Sequence, residues 1–322
     1  MNWPAYLTRR ILSIVPVVVA IVVLAFLLIN LAPGDPARVL AGERGNPEYL
    51  AYVRHKYGLD HSMGYRLWKY GEAVAQGDFG TSLAYQRPVA SLIFDRLPAT
   101  LLLIGAAQVI AIFGILAGAI AGARRGSLFD RATSISTLVV YSTPVFWTGL
   151  MLIILFSVEL RWLPASGMTS PLAPTSGYGH YVDVLHHLIL PAFTLAIVWY
   201  LPEYLRLTRA GVIQTMNEDF VLTARATGLS ERAVLFRHVF RNALLPVVTL
   251  VGLQVGLAIS GAIITESVFG WPGLGRLTYE SIGTRDYPVL LGILFFTAIS
   301  VAFMSIVTDV VYALLDPRVK YA

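Results

Sequence analysis

The chain contains no cysteine among its 322 residues. Disulfides, thiolate metal sites and a cysteine nucleophile are thereby excluded. Charge is scarce as well: Asp, Glu, Lys and Arg make up 13% of the sequence, whereas a soluble domain carries about 25%. Lysine is reduced to Lys56, Lys69 and Lys320, and none of them follows a glycine. The phosphate-cradling pattern G-x4-G-K-[ST] requires that Gly-Lys step. An ATP site of that kind is excluded, so any ATP hydrolysis that drives this chain belongs to another polypeptide. The H-E-x-x-H pattern of zinc proteases is missing, and the serine in AISGAI has no nucleophile-elbow context. His186 and His187 are neighbours that cannot both point one way on a helix, which fits an interfacial pair better than a metal site. Neither a catalytic set nor a metal-binding set is expected, and no cofactor is expected on this chain.

What fills the sequence instead is apolar: 56% of the residues are hydrophobic, gathered in long uncharged runs. Six candidate spans emerge, at 11–32, 98–123, 132–158, 188–210, 242–265 and 287–308. Each is near the roughly 20 residues that cross a bilayer. The first run has 22 residues, too many for the roughly 7–15-residue core of a secretory signal, so it is read as a retained span. The fold class expected is all-α, a polytopic membrane protein with six transmembrane helices.

Sidedness follows from Lys and Arg near the span ends. Thirteen lie on one side: Arg9 and Arg10, then Arg124, Arg125 and Arg131, then six between Arg206 and Arg241, and finally Arg318 and Lys320. The short loops opposite hold only Arg161, Arg276 and Arg285. The richer side, with both termini, is expected to be cytoplasmic. Segment 33–97 then lies outside. Its eight basic and seven acidic residues nearly cancel, and it carries helix-like stretches, PEYLAYVRHKYGL and YRLWKYGEAVAQ, punctuated at GDP, QGDFG and RP. A small folded loop domain is expected there. The chain is thus divided into 1–32 with the first span, the outer domain 33–97, a core of five spans over 98–316, and a cytoplasmic tail 317–322.

Span 2 places Gly114, Gly118 and Gly122 along one face, and span 5 repeats the device with Gly252, Gly256 and Ser260. Small residues at this spacing let membrane helices approach closely, and static packing is the favoured reading. Pro144, Pro191 and Pro202 should kink their spans. Glu203, Glu266 and Asp309 lie within the span limits but near span ends. Glu203 is expected to be neutralised by Arg206 one turn on, and Asp309 lies near the cytoplasmic surface before Arg318. Glu266 is the best candidate for an outer gate, with Gln254, Gly256 and Ser260 as further pathway candidates.

Between spans 4 and 5 the sequence reads LTARATGLSERAVLFRHVFRNALLP. Asp219–Thr227 is helical in pattern, and Gly228 supplies a stop because glycine tolerates left-handed backbone. Ser230 can cap the next helix, with Glu231 complementing its positive end. Leu229, Ala233, Phe236, Phe240 and Leu244 recur at spacings of three or four and form one expected apolar face. Arg237 and Arg241 share another stripe. A helix, a bend and an amphipathic helix result. Such an elbow suits two roles equally: an interfacial helix touching anionic lipid headgroups, and a docking elbow for a cytoplasmic protein. Nucleic acid is rejected, because no separate basic domain exists.

The segment TARATGLSERAVLFRHVFRNALLPVV resembles the cytoplasmic coupling segment of binding-protein-dependent ABC importer permeases, B-type, of the dipeptide, oligopeptide and nickel transporter family. PAYLTRRILSIVPVV, INLAPGDPA, GDFGTSLAYQRPVASLIFDRLPATLLL, TESVFGWPGLGRL, TRDYPVLLG and DVVYALLDPR resemble other blocks of that family, in its order. The resemblance implies a type I ABC importer permease fold and half of a translocation pathway. It also implies a homologous C-type permease partner, two ATP-binding subunits carrying ATP and magnesium, and an external solute-binding protein. Within segment 218–241 it places coupling to the ATPase on Ala224, Arg225, Ala226, Thr227, Gly228, Leu229, Ser230 and Glu231. Against the general pattern EAA-x3-G-x9-I-x-L-P, Leu222, Thr223 and Ala224 stand for Glu-Ala-Ala, and His238, Phe240 and Arg241 replace Ile, Leu and Pro. Substrates implied are di- or oligopeptides, with nickel, a metallophore or glutathione as alternatives. An ion-driven secondary transporter is the rival class. It would need midplane ionisable groups and inverted repeats, and neither stands out in the sequence.

Overall fold

The computed structural model describes residues 12, 14–31, 37, 46–57, 61–174, 176–259 and 261–315. Ser260, the basic residues Arg9, Arg10, Arg318 and Lys320, and the tail 317–322 lie outside the described residues. The described chain is almost entirely helical, with a single isolated β-bridge between Thr81 and Pro88. It divides into two compact units. One comprises Met1–Thr100, Gly256–Ile263 and Gly273–Phe303; the other comprises Leu101–Val255, Ile264–Pro272 and Met304–Ala322.

The first unit opens with α1 (Ile14–Leu31), an unbroken apolar helix. Two helices follow, α2 (Pro47–Tyr57) and α3 (Met63–Ala75), on the two helix-like stretches read from the sequence. The Tyr70 ring on α3 meets Phe26 of α1 at 6.2 Å. A turn at 76–88 leads into α4 (Val89–Ala123). This helix begins well before residue 98, because Pro98 leaves only one carbonyl without a donor and the apolar Val89, Leu92 and Ile93 bury on one side. They pack with Leu274, Leu277, Val289 and Ile293, from α14 (Leu274–Gly283) and the start of α15 (Tyr287–Leu315).

The second unit contains the remaining helices, and here the expected spans are broken. Span 3 is two helices, α5 (Leu128–Tyr141) and α6 (Val145–Ile153), the latter prolonged by a π turn at Ile154–Glu159. They bend by 97° at Ser142–Pro144, a break rather than the expected kink. Pro144 ends the ladder, and two hydroxyls turn back onto the last carbonyls: Ser142 Oγ donates to Leu138 O at 2.8 Å, which also accepts Ser142 N–H, and Thr143 Oγ1 donates to Val139 O at 2.9 Å. Span 4 is longer than expected. It runs through α7 (Tyr178–Leu195), a π turn at Ala196–Tyr200 and α8 (Leu201–Thr215). Pro202 has no N–H to offer, and the neighbouring turn widens so that Leu201 N–H bonds Ala196 O five residues back.

After α9 (Asp219–Ala226) come α10 (Glu231–Ala233), a π turn at Val234–Val239 and α11 (Phe240–Ala243). A 50° bend leads into α12 (Leu245–Ala258). Helix α12 therefore ends at Ala258, short of residue 265, and a separate α13 (Ile263–Val268) follows. Among the described residues three helices are long and apolar enough to cross a membrane unaided, and up to five if each bent pair forms one span. The chain is a polytopic, nearly all-helical membrane protein.

Candidate functional site

The elbow between α9 and α10 is built from local rules. At the end of α9, Gly228 adopts φ +81°, Gly228 N–H bonds Arg225 O at 2.9 Å and Leu229 N–H reaches Ala224 O at 3.4 Å. These are the two bonds of a glycine-terminated helix end. Two residues later Ser230 Oγ accepts the Ala233 N–H at 3.4 Å, starting the next helix. Across the bend Arg225 holds Glu231 with two parallel bonds, 2.9 Å and 3.2 Å. On a straight helix these two residues would lie on different faces, so this pair exists only because the chain turns at Gly228. Residues 225–230 are all exposed.

One face of the elbow is buried, and of the expected face only Phe240 packs against it. Val221, Ala224, Val234, Leu235, Val239 and Ala243 form a core with Ala119 of α4 and Val212 of α8. Leu229 and Phe236, expected to be buried, are exposed, as are Phe220 and Leu222. The π turn at Val234–Val239 inserts one residue into the turn and rotates the following side chains, so the buried set is spaced by five and then four.

The glycine seam carries this elbow's support. A Cβ on Gly114 would meet Leu201 O at 2.6 Å, one on Gly118 would strike Leu205 O, and one on Gly122 would meet Arg209 O at 2.8 Å. Backbone therefore lies on backbone between α4 and α8. Gly211 repeats the contact against Ala243 O at 2.8 Å, joining α8 to α11. Gly252 of α12 lies against the Thr308 side chain of α15. Gly256 is buried.

A second tie was not foreseen. Asp130, buried in the first turn of α5, accepts the Arg209 guanidinium through both its oxygens and the Gly126 N–H at 2.8 Å. The partners lie 79 residues apart, so spacing gave no signal. Glu203 departs from expectation too. Its carboxylate takes the Gln254 side-chain N–H of α12, while Arg206 lies 6.0 Å from the Tyr141 ring centroid. Glu266 is completely buried, and its backbone carbonyl accepts Trp271 N–H at 2.8 Å. His186 and His187 bond the backbone carbonyls of Trp162 and Asp183 at 2.9 Å and 2.8 Å.

In the first unit the block TRDYP is stitched to the block GTSLAY. The buried Asp286 carboxylate accepts Ser82 O–H at 2.6 Å, Leu83 N–H at 2.9 Å and Ala84 N–H at 3.1 Å. Beside it Tyr85 O–H donates to Glu280 at 2.5 Å, and Arg276 donates to the same carboxylate at 2.8 Å.

The family described as the inner membrane component of binding-protein-dependent transport systems matches residues 114–321. The N-terminal family of the same membrane components matches residues 4–104. The di/tripeptide transport system permease protein DppB of Pseudomonas aeruginosa (strain UCBPP-PA14) is 40% identical over 333 residues, covering 98% of this chain and 99% of the relative. The dipeptide transport system permease protein DppB of Escherichia coli (strain K12) is 37% identical over 335 residues, 98% of each chain. The glutathione transport system permease protein GsiC of the same strain is 39% identical over 317 residues, 98% of this chain and 99% of the relative.

Proposed function

The chain belongs to the family of inner membrane components of binding-protein-dependent transport systems, and from that premise we propose that it forms half of the pathway of an ATP-driven peptide importer. Relatives named for dipeptides and di/tripeptides, similar along nearly their whole length, support the substrate class. Glutathione, itself a small peptide, is the second reading, supported by the relative named for it. The six spans are α1, α4, the pair α5 and α6, the helix α7 with α8, the chain from α10 to α12, and α15. Both termini and the elbow face the cytoplasm. The partners are a homologous C-type permease, two ATP-binding subunits and an external solute-binding protein that meets the outer segment 33–97.

The observation that carries the mechanism is the core that joins Val221, Ala224, Val234 and Val239 of the elbow to Ala119 and Val212 of the spans. An ATP-binding subunit seated on Ala224–Glu231 cannot shift the elbow without shifting α4 and α8. Nucleotide-driven closure of the ATPases and opening of the pathway then bias one two-state element, as coupling between distant sites requires. The seat offers exposed apolar side chains, Phe220, Leu222, Leu229 and Phe236, in place of the family's usual glutamate.

Gly228 tests the elbow. A Cβ there meets nothing within 4 Å, so only its positive φ constrains it. Asn, which tolerates left-handed backbone, should retain peptide uptake and ATPase stimulation in Gly228→Asn. Gly228→Val should lose both about tenfold or more, since β-branched residues resist that conformation. Equal, unaltered activity in both variants overturns the coupling role.

A further inference from the structure

An acidic side chain inside a membrane span calls for a partner, and Glu203 has an unusual one. It lies in the first turn of α8, one turn before Arg206, yet that arginine is exposed and turned to Tyr141. Among the described residues no Lys or Arg forms an ion pair with Glu203. What reaches it is the neutral amide of Gln254. That amide lies nine residues into α12 from Leu245, about 14 Å along the helix at 1.5 Å per residue. The donor end of the amide is used on the carboxylate, and its oxygen, Oε1, is buried with no hydrogen-bond partner among the described residues. Two oxygens of a carboxylate and one amide oxygen thus gather on facing helices, with one negative charge and a surplus of acceptors. Both residues are half-buried rather than enclosed.

We propose that Glu203 and Gln254 form an intramembrane site for the ammonium group of the transported peptide. An ammonium supplies what the cluster lacks: a single positive charge and three N–H donors, matched to a carboxylate and an amide oxygen. A neutral donor such as water would satisfy Gln254 Oε1 but leave the charge uncompensated. The inference rests on the reading of the substrate as a peptide. It adds a place on the pathway where the substrate's free amino end is held while the spans rearrange.

The absence of native cysteine makes the test direct. Gln254→Cys, in the full complex reconstituted in proteoliposomes, is reacted with a cationic aminoethyl and an anionic sulfonatoethyl methanethiosulfonate. The cationic reagent should react about tenfold faster, because a nearby carboxylate attracts one and repels the other. Adding Glu203→Gln should bring the two rates within about twofold. Dialanine should slow the cationic reaction, and N-acetyldialanine, which lacks the ammonium, should not. Equal rates for both reagents, a preference that survives Glu203→Gln, or equal protection by the acetylated peptide each overturns the site. Protection by nickel or magnesium ions and not by dialanine overturns the ammonium assignment in favour of a metal cation. In the otherwise native chain, Glu203→Gln should raise the KM for dialanine uptake about tenfold while leaving nucleotide-stimulated turnover at saturation within about twofold; an unchanged KM sinks the proposal even if the cysteine variant fails to assemble. Thiol reaction needs no ATP turnover, so Gly228→Val should leave the labelling pattern intact, and failure of the elbow reading is distinguishable from failure of this one.

Discussion

At the scale of single residues, buried carboxylates do much of the joining. Asp286 is enclosed, and three donors depend on one of its oxygens, Oδ2: Ser82 O–H, Leu83 N–H and Ala84 N–H. Asp286→Ala leaves all three without an acceptor, and the penalty for stranded buried groups should cost the first unit about 3 kcal/mol or more. The expected readout is a lowered melting temperature with early protease cleavage in the turn at 81–88. Glu280 makes a pH prediction. Burial would raise its carboxyl, but the bonds from Tyr85 and Arg276 outweigh burial and hold it below the ordinary range. The folded value is the lower one, so this stabilisation is present above the ordinary carboxylate value and is lost as pH falls through the depressed one. Melting followed from about pH 6 to about pH 3 should show a smaller acid-induced loss in Glu280→Gln than in the parent chain. Neither carboxylate was legible as a joint in the sequence. Asp286 meets Ser82 across 204 residues, a pairing that only the folded chain creates. Gly228, Ser230 and Glu231 were legible, because helix stops and caps are decided within a few residues.

At the scale of elements, the glycine stripe of α4 was legible because small residues every fourth position have one main use in a membrane. Its partner was not, since any span presents a backbone. The structure supplies α8, and the contact predicts a contrast within one helix. Gly118→Ala drives a methyl into Leu205 O and should destabilise by about 1–3 kcal/mol. Gly105→Ala on the same helix meets nothing within 4 Å and should be neutral or slightly stabilising, because alanine is the better helix former. Thermal melting of the two variants in detergent decides it. The buried face of the elbow was misread for a reason that spacing cannot reveal. A period of 3.6 assumes α-helix throughout, and the π turn at Val234–Val239 breaks that assumption. Helix limits depart from the apolar runs for a related reason: hydropathy locates such runs but is blind to the breaks at Ser142–Pro144 and Leu244 inside them.

At the scale of the whole molecule, the distribution of arginine carries the claim about sidedness. Leu128→Cys at the start of α5 and Thr284→Cys after α14 are exposed positions in a chain without other thiols. In intact cells an impermeant maleimide should label Thr284→Cys and leave Leu128→Cys untouched, and in inverted vesicles the order should reverse. The opposite pattern would invert the topology. Most of the family assignment was legible from sequence, since its motif blocks run in order from end to end. The intramembrane polar pair was not, because Glu203 had a nearer charge to choose.

The seam between α4 and α8 has a mechanical consequence. Where carbonyls lie against glycine Cα atoms, there are no rotamers to change and no slack to take up, so the two helices behave as one beam. Play must then enter at the joints, the right-angled break before Pro144 and the shallower bend at Leu244. The pathway would open as that beam, pushed through the elbow, turns in one piece against the segments beyond those joints, much as a door leaf swings on its hinges.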